Sequence, residues 1–185
     1  GAGPDGIIPK VLRICAYQVG PIITKLLNNS IEQHTTLKLW KSAIIKPLPK
    51  VTTPTQIKDY RPITITSCLC EMLERQPKTY ITEHTAMDRH QLAYCQKRST
   101  RDAVLCLTTT ITKFIGKAAS NYARCLFLDF SSAFNTIRVE YLIPLLQHLN
   151  FRVTEWVTSF LSNRVQQTIV NNQLSTPILT HTGSP

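Results

Sequence analysis

Two hydrophobic periods alternate along the chain, and each switch from one to the other marks an element. After the turn chemistry of Gly3-Pro4-Asp5-Gly6, Pro9 suits an early helical position, and Val11, Leu12, Ile14 and Cys15 follow it at helical spacing. Gly20-Pro21 is expected to break that helix, beyond which Ile22, Ile23, Leu26, Leu27 and Ile31 repeat the amphipathic pattern. Ala43, Ile44, Ile45 and Leu48 then predict a strand, closed by Pro47 and Pro49 because proline cannot donate to a ladder. Residues 51–58 are rich in Thr and Pro and predict a hairpin tip, after which Asp59-Tyr60-Arg61-Pro62-Ile63 resumes extended backbone. Over residues 66–84 the apolar positions Cys68, Leu69, Met72, Leu73 and Ile81 predict a helix, kinked or divided at Pro77.

Further on, Ser99 or Thr100 is expected to cap a helix through Val104, Leu105, Leu107, Ile111 and Ile115, with Asp102 in its positive first turn. Tyr141, Leu142, Leu145, Leu146 and Leu149 predict another, bent at Pro144, and Trp156, Val157, Phe160 and Leu161 one more. A hairpin follows: residues 165–170 and 174–179 flank Asn171-Asn172, a pair that tolerates positive φ.

Between the helices stands the run that ends Leu126-Phe127-Leu128 and stops at Asp129, with Phe130, Ser131 and Ser132 next. A continuous apolar run over residues 123–128 predicts a short strand covered on both faces. Asp129 is then expected at its carboxyl end, with Ser131 or Ser132 capping the following helix. Taken alone, Asp129 is either part of that cap or a carboxylate held out for chemistry, and Phe134 is core.

Composition narrows the class. With 185 residues, 43% hydrophobic and only 17% charged, the chain has enough apolar surface to bury a core and is not a disordered segment. A net charge of +10 favours a polyanionic partner, because Lys and Arg neutralise phosphates and release counterions. No apolar run approaches the roughly 20 residues of a membrane-spanning helix, so no membrane partner is expected, and an intracellular protein is. The six cysteines are scattered, without a paired Cys-x-x-Cys spacing, and predict neither a disulfide framework nor structural zinc.

The string Phe127-Leu128-Asp129-Phe130-Ser131-Ser132-Ala133-Phe134-Asn135-Thr136-Ile137 resembles the first catalytic motif of reverse transcriptases from non-LTR (LINE-type) retrotransposons. Other segments are similar to the same family in the same order. They are Gly3-Pro4-Asp5-Gly6, the Tyr60-Arg61-Pro62-Ile63 motif, the block from Gln91 through Asp102, and Phe160-Leu161-Ser162-Asn163-Arg164. The resemblance implies an α/β (α+β) fold, the fingers and partial palm of a right-hand polymerase, helix-rich with short antiparallel strands. It assigns residues 1–118 to the fingers and residues 119–185 to the first part of the palm.

The roles it implies fall on particular residues. Asp129 would bind two Mg²⁺ ions, with Mn²⁺ as the alternative, helped by the backbone carbonyl of Phe130. Phe134 would pack under the incoming sugar and exclude a 2′-hydroxyl. Lys50 and Arg61 would fold over the triphosphate, Arg with its planar fork and Lys as a movable point charge. Taken singly, Lys50 reads as a solvated surface charge. Lys97, Arg98 and Arg101 would hold the template backbone; three cations at one helix N-terminus have no helix-dipole rationale, which favours an anionic partner. The partners implied are an RNA template, a DNA primer and deoxynucleoside triphosphates, in the cytoplasm and nucleus for the parent element.

Gln76-Pro77 departs from the family, which usually runs one uninterrupted helix through this segment. Thr182-Gly183-Ser184-Pro185 is expected to lead to Gln-Gly and then to a hairpin ending in two adjacent aspartates. The chain holds no Asp-Asp pair, so truncation before that hairpin, and no polymerase activity for the isolated chain, are expected. The rival reading is a non-catalytic nucleic-acid-binding remnant of a decayed element. A group II intron or telomerase-type polymerase shares the Asp-bearing strand but fits the Phe-Ser-Ser-Ala-Phe-Asn string poorly.

Overall fold

In the computed structural model, residues 2–117, 122–130 and 133–183 are described. Two compact units divide the chain, Gly1–Ile81 with Ser132–Pro185, and Thr82–Ser131.

The first unit is a small mixed sheet with helices. Its helices are α1 (Pro9–Ile14), α2 (Ala16–Glu32), α5 (Val139–Leu146), α6 (Phe151–Leu161) and all but the last residues of α3 (Cys68–His84). Its strands are β1 (Ser42–Pro49), β2 (Tyr60–Ile65), β3 (Arg164–Val170), β4 (Gln173–Leu174) and β5 (Ile178–Thr180). The antiparallel β1–β2 hairpin runs from Ile44 against Ile65 to Pro49 against Tyr60. Beside it β1 pairs in parallel with β3, Ser42 against Val165 through Ile45 against Thr168. The sheet therefore departs from the antiparallel expectation at its centre, because the chain passes from β1 to β3 by way of β2 and several helices, the kind of long connection that parallel pairing requires.

Burial explains why these helices form where they do. Trp40, Leu69, Cys70, Leu73, Leu146, Leu149, Trp156, Val157 and Phe160 make one buried cluster. Trp156 stacks on Phe160 with ring centroids 5.2 Å apart, and its indole N–H donates to the Ser30 hydroxyl at 3.2 Å. That bond satisfies the one polar group a buried Trp carries. Arg164 is buried as well; its Nη1 donates to the Phe160 carbonyl at 3.1 Å, and its guanidinium lies 4.7 Å from the Phe160 ring centroid. This side chain ties the start of β3 to the end of α6. At Gly3 a Cβ would come within 2.4 Å of the Thr66 carbonyl oxygen, so only glycine lets the N-terminal segment lie against residues 66–67.

Three expectations about breaks are corrected. Gly20-Pro21 does not end a helix: α2 runs through Pro21, and the break falls earlier at Cys15, whose φ and ψ are −94° and 16°. Pro77 does not divide α3, which continues from Cys68 to His84 with Pro77 buried. A proline removes one backbone bond, and in α3 the burial of Leu69, Cys70 and Leu73 on the same helix offsets that loss. The final hairpin splits: Asn171 and Asn172 take the expected positive φ of 49° and 63°, but β4 stops at Leu174 and β5 resumes at Ile178, past Thr176-Pro177.

The second unit contains α4 (Thr100–Ile115). Ser99 is its cap, and Ser99 and Asp102 form a reciprocal capping box. The strand expected at residues 123–128 is absent: this segment has no regular secondary structure, and Leu126, Phe127, Leu128 and Phe130 are each at least 80% exposed. Among the described residues no strand pairs with it, and an apolar run without a ladder to join cannot hold a strand against water. The cap expected at Ser131 or Ser132 lies outside the described residues; a short 3₁₀ turn follows at Ala133–Thr136.

Candidate active site

Local chemistry builds the tip of the β1–β2 hairpin. The Asp59 carboxylate accepts the backbone N–H groups of Thr55 and Gln56, each at 2.9 Å. These bonds, first the one from Thr55, hold its carboxyl below the usual carboxylate range. The Lys50 N–H donates to the Asp59 carbonyl at 2.7 Å, and the Lys50 ammonium donates to the Lys58 carbonyl at 3.0 Å. Arg61 sits just inside β2, opposite Leu48, and is exposed. The structure thus gathers Lys50 and Arg61 at one end of one hairpin.

Alternation along the strands separates two faces. Arg61 and Ile63 share a face with their partners Leu48 and Lys46, whereas Pro62 and Thr64 share the other with Pro47 and Ile45. On that second face a cleft of about 260 Å³ is lined by Ile45, Pro62, Thr64, Asn135, Gln166 and Thr182. Gly183 closes it with φ of +90°, its Cα so near the 3₁₀ turn that an added Cβ would stand 3.4 Å from the Asn135 carbonyl oxygen. The Gly183 N–H donates to the Ile137 carbonyl at 2.7 Å, and Arg138 bridges to Thr182. Phe134 belongs to this turn and is 57% exposed, so it is not the core residue that its hydrophobicity alone implies. Thr64 and Gln166 are not singled out by the sequence, and Asn135 and Thr182 enter it only as members of motifs; their own signal is weak, because polar residues on a strand or turn read as solvated surface.

In the second unit, the Ser99 N–H donates to the Asp102 carboxylate at 2.7 Å and the Asp102 N–H to the Ser99 hydroxyl at 3.4 Å. The Ser99 hydroxyl and N–H hold the Asp102 carboxyl below its usual range. Lys97, with positive φ of 58°, and Arg98 and Arg101 stand exposed around this start, and none of the three forms a salt bridge with another described residue. Asp129 lies in this unit, exposed, while Lys50, Arg61 and Phe134 lie in the other.

The metal expectation meets a plain limit. Asp129 can supply one hard oxygen donor, but among the described residues no three His, Cys, Asp or Glu side chains gather where they could hold an ion. Mg²⁺ commonly keeps several waters but still takes one or two carboxylates, and a pair of ions takes more. The donors present do not make a metal site by themselves.

Comparison with known families decides the identity of this arrangement. The family model described as reverse transcriptase (RNA-dependent DNA polymerase) matches residues 44–185. The chain belongs to the reverse transcriptase family. No curated protein matches it. The matched span takes in the β1–β2 hairpin, the α4 cap, Asp129 and the Phe134 turn, so every candidate residue falls inside the reverse transcriptase domain. The mixed helix and sheet architecture agrees with such a domain, and RNA, DNA and deoxynucleoside triphosphates are the substrates that membership implies. No helix among the described residues is long and apolar enough to cross a membrane.

Proposed function

We propose that this reverse transcriptase domain comes from a LINE-type retrotransposon and performs RNA-templated DNA synthesis, with residues 1–118 as fingers and 119–185 as palm. The observation that carries the reading is the string from Phe127 to Ile137 standing inside the matched span, with one carboxylate between two apolar residues and an aromatic five positions on. Asp129 is the carboxylate of the reacting centre, with the Phe130 carbonyl beside it. Asp129, with further carboxylates, would hold divalent ions, Mg²⁺ or Mn²⁺, which would supply Lewis acidity for two-metal nucleotidyl transfer.

What this chain's own residues do is bind and select. Lys50 and Arg61 take the triphosphate at the hairpin tip. Phe134 sits beside the sugar, and Lys97, Arg98 and Arg101 hold the template backbone. The parent element would act in the cytoplasm and nucleus. The non-catalytic remnant is the weaker reading, since the reverse transcriptase match over residues 44–185 takes in the whole string around Asp129 and Phe134.

The test is nucleotide discrimination in an extension-competent protein. Phe134→Ala opens the space beside the sugar and is expected to raise ribonucleotide incorporation at least tenfold, roughly the value of one lost steric contact, with deoxynucleotide use largely kept. Unchanged discrimination would return Phe134 to a packing role.

A further inference from the structure

In the sequence, Asp59 stands between the two cations assigned to the triphosphate, where a carboxylate would ordinarily pair with them. The Lys50 charge helps to hold the Asp59 carboxyl down, yet the two do not pair. No Asp59 ion pair occurs among the described residues, and the carboxylate oxygen Oδ2 is spent instead on the N–H groups of Thr55 and Gln56 at 2.9 Å each. Its own carbonyl meanwhile accepts the Lys50 N–H at 2.7 Å. One residue therefore fastens the tip twice, its backbone to Lys50 just past β1 and its side chain to the loop of residues 51–58.

The consequence falls on Lys50. With the loop folded back, the Lys58 carbonyl meets the Lys50 ammonium at 3.0 Å. An ammonium has three donors, so one bond aims the group and two stay available to phosphate oxygens. Arg61 follows Asp59 by one β2 residue, and its backbone is fixed by the same closure.

We infer that Asp59 is the positioning residue of the triphosphate clamp, holding the hairpin tip so that Lys50 and Arg61 face an anion without being locked into an ion pair with the acid beside them. This rests on the reading of Lys50 and Arg61 as triphosphate ligands. A positioning role and a charge role predict opposite signs. Removing a negative charge next to two cations tightens anion binding if charge alone matters. Releasing the tip weakens it, because both side chains must then be ordered on binding.

Binding of inorganic tripolyphosphate to the chain is the measurement, followed by calorimetry, with amide hydrogen exchange at Thr55 and Gln56 read in parallel. Asp59→Ala is expected to weaken binding about fivefold and to expose both amides to exchange. Asp59→Asn keeps an acceptor oxygen and is expected to fall between wild type and Asp59→Ala. Should Asp59→Ala lose the fold, Asp59→Asn carries the test, and wild-type or tighter binding by it overturns the inference. Tighter or unchanged binding by a folded Asp59→Ala overturns it equally. Lys50→Ala and Arg61→Ala address the underlying reading separately: if neither weakens tripolyphosphate binding, the clamp assignment fails, whatever the Thr55 and Gln56 amides show.

Discussion

Cys70 is fully buried, its thiol within 3.5 Å of the Trp40 carbonyl and 3.6 Å of a Glu74 carboxylate oxygen, while Cys106 and Cys125 are exposed. Burial, and then the nearby Glu74 charge, push the Cys70 thiol up to about 12. Because the thiolate is the reactive form, Cys70 in the folded chain is expected to alkylate on the order of a hundredfold more slowly than Cys106 or Cys125 at pH 8. Mass spectrometry of a timed iodoacetamide reaction checks this, and comparable rates would place Cys70 outside the core. That contrast was partly legible: cysteines in apolar stretches read as small hydrophobes, but nothing in the run around Cys125 announced that its apolar neighbours would stand in solvent. Asp59 shows the same limit. Its motif was plain in the sequence, whereas its bonds to Thr55 and Gln56 depend on how a loop of Thr and Pro folds back, which periodicity does not encode.

Elements divide by whether their partners are local. Helices α3 and α6 follow the apolar spacing closely, because each needs only its own hydrogen bonds and one face to bury, whereas α4 buries none of its residues and is marked by its Ser99–Asp102 cap. Hairpin β1–β2 and the Asn171-Asn172 turn were legible for the same reason. The parallel pairing of β1 with β3 was not, since register between distant strands leaves no mark in either one. The segment over residues 123–128 carried a strand's composition without a strand's partner, and the structure leaves it irregular.

Helix α4 gives a prediction at this scale. The Asp102 carboxyl, held down by Ser99, keeps its tie to the Ser99 N–H above the ordinary Asp value of about 3.9. A depressed folded value means that the stability it contributes is present above that ordinary value and is lost as pH falls through the lower, folded one. The Ser99 amide resonance is therefore expected to titrate with a midpoint below the ordinary Asp value, and Asp102→Asn to abolish the transition. A midpoint at or above the ordinary value would deny the capping box.

Across the whole molecule, the surplus of positive charge and the family agree. A net +10 in a reverse transcriptase domain fits a phosphate backbone as partner. If Lys97, Arg98 and Arg101 each neutralise one phosphate, affinity for single-stranded RNA is expected to fall roughly twentyfold from 50 to 200 mM salt through these contacts. The triple alanine variant should lose that part of the slope, and an unchanged slope would return the three to the solvated surface. Family membership was legible from a few motifs, while the division into two units was not, because it depends on contacts across the chain.

Primer extension tests the central claim, that Asp129 belongs to the reacting centre of an RNA-templated polymerase. A protein joining this chain to a palm hairpin with two adjacent aspartates is assayed on an RNA template with a DNA primer, beside its Asp129→Asn variant. The amide keeps the shape of the side chain and removes its charge. Extension by the parent and a loss of at least a thousandfold in the variant, on the scale of removing a main electrostatic contact, is the expected result; equal extension by both would contradict it.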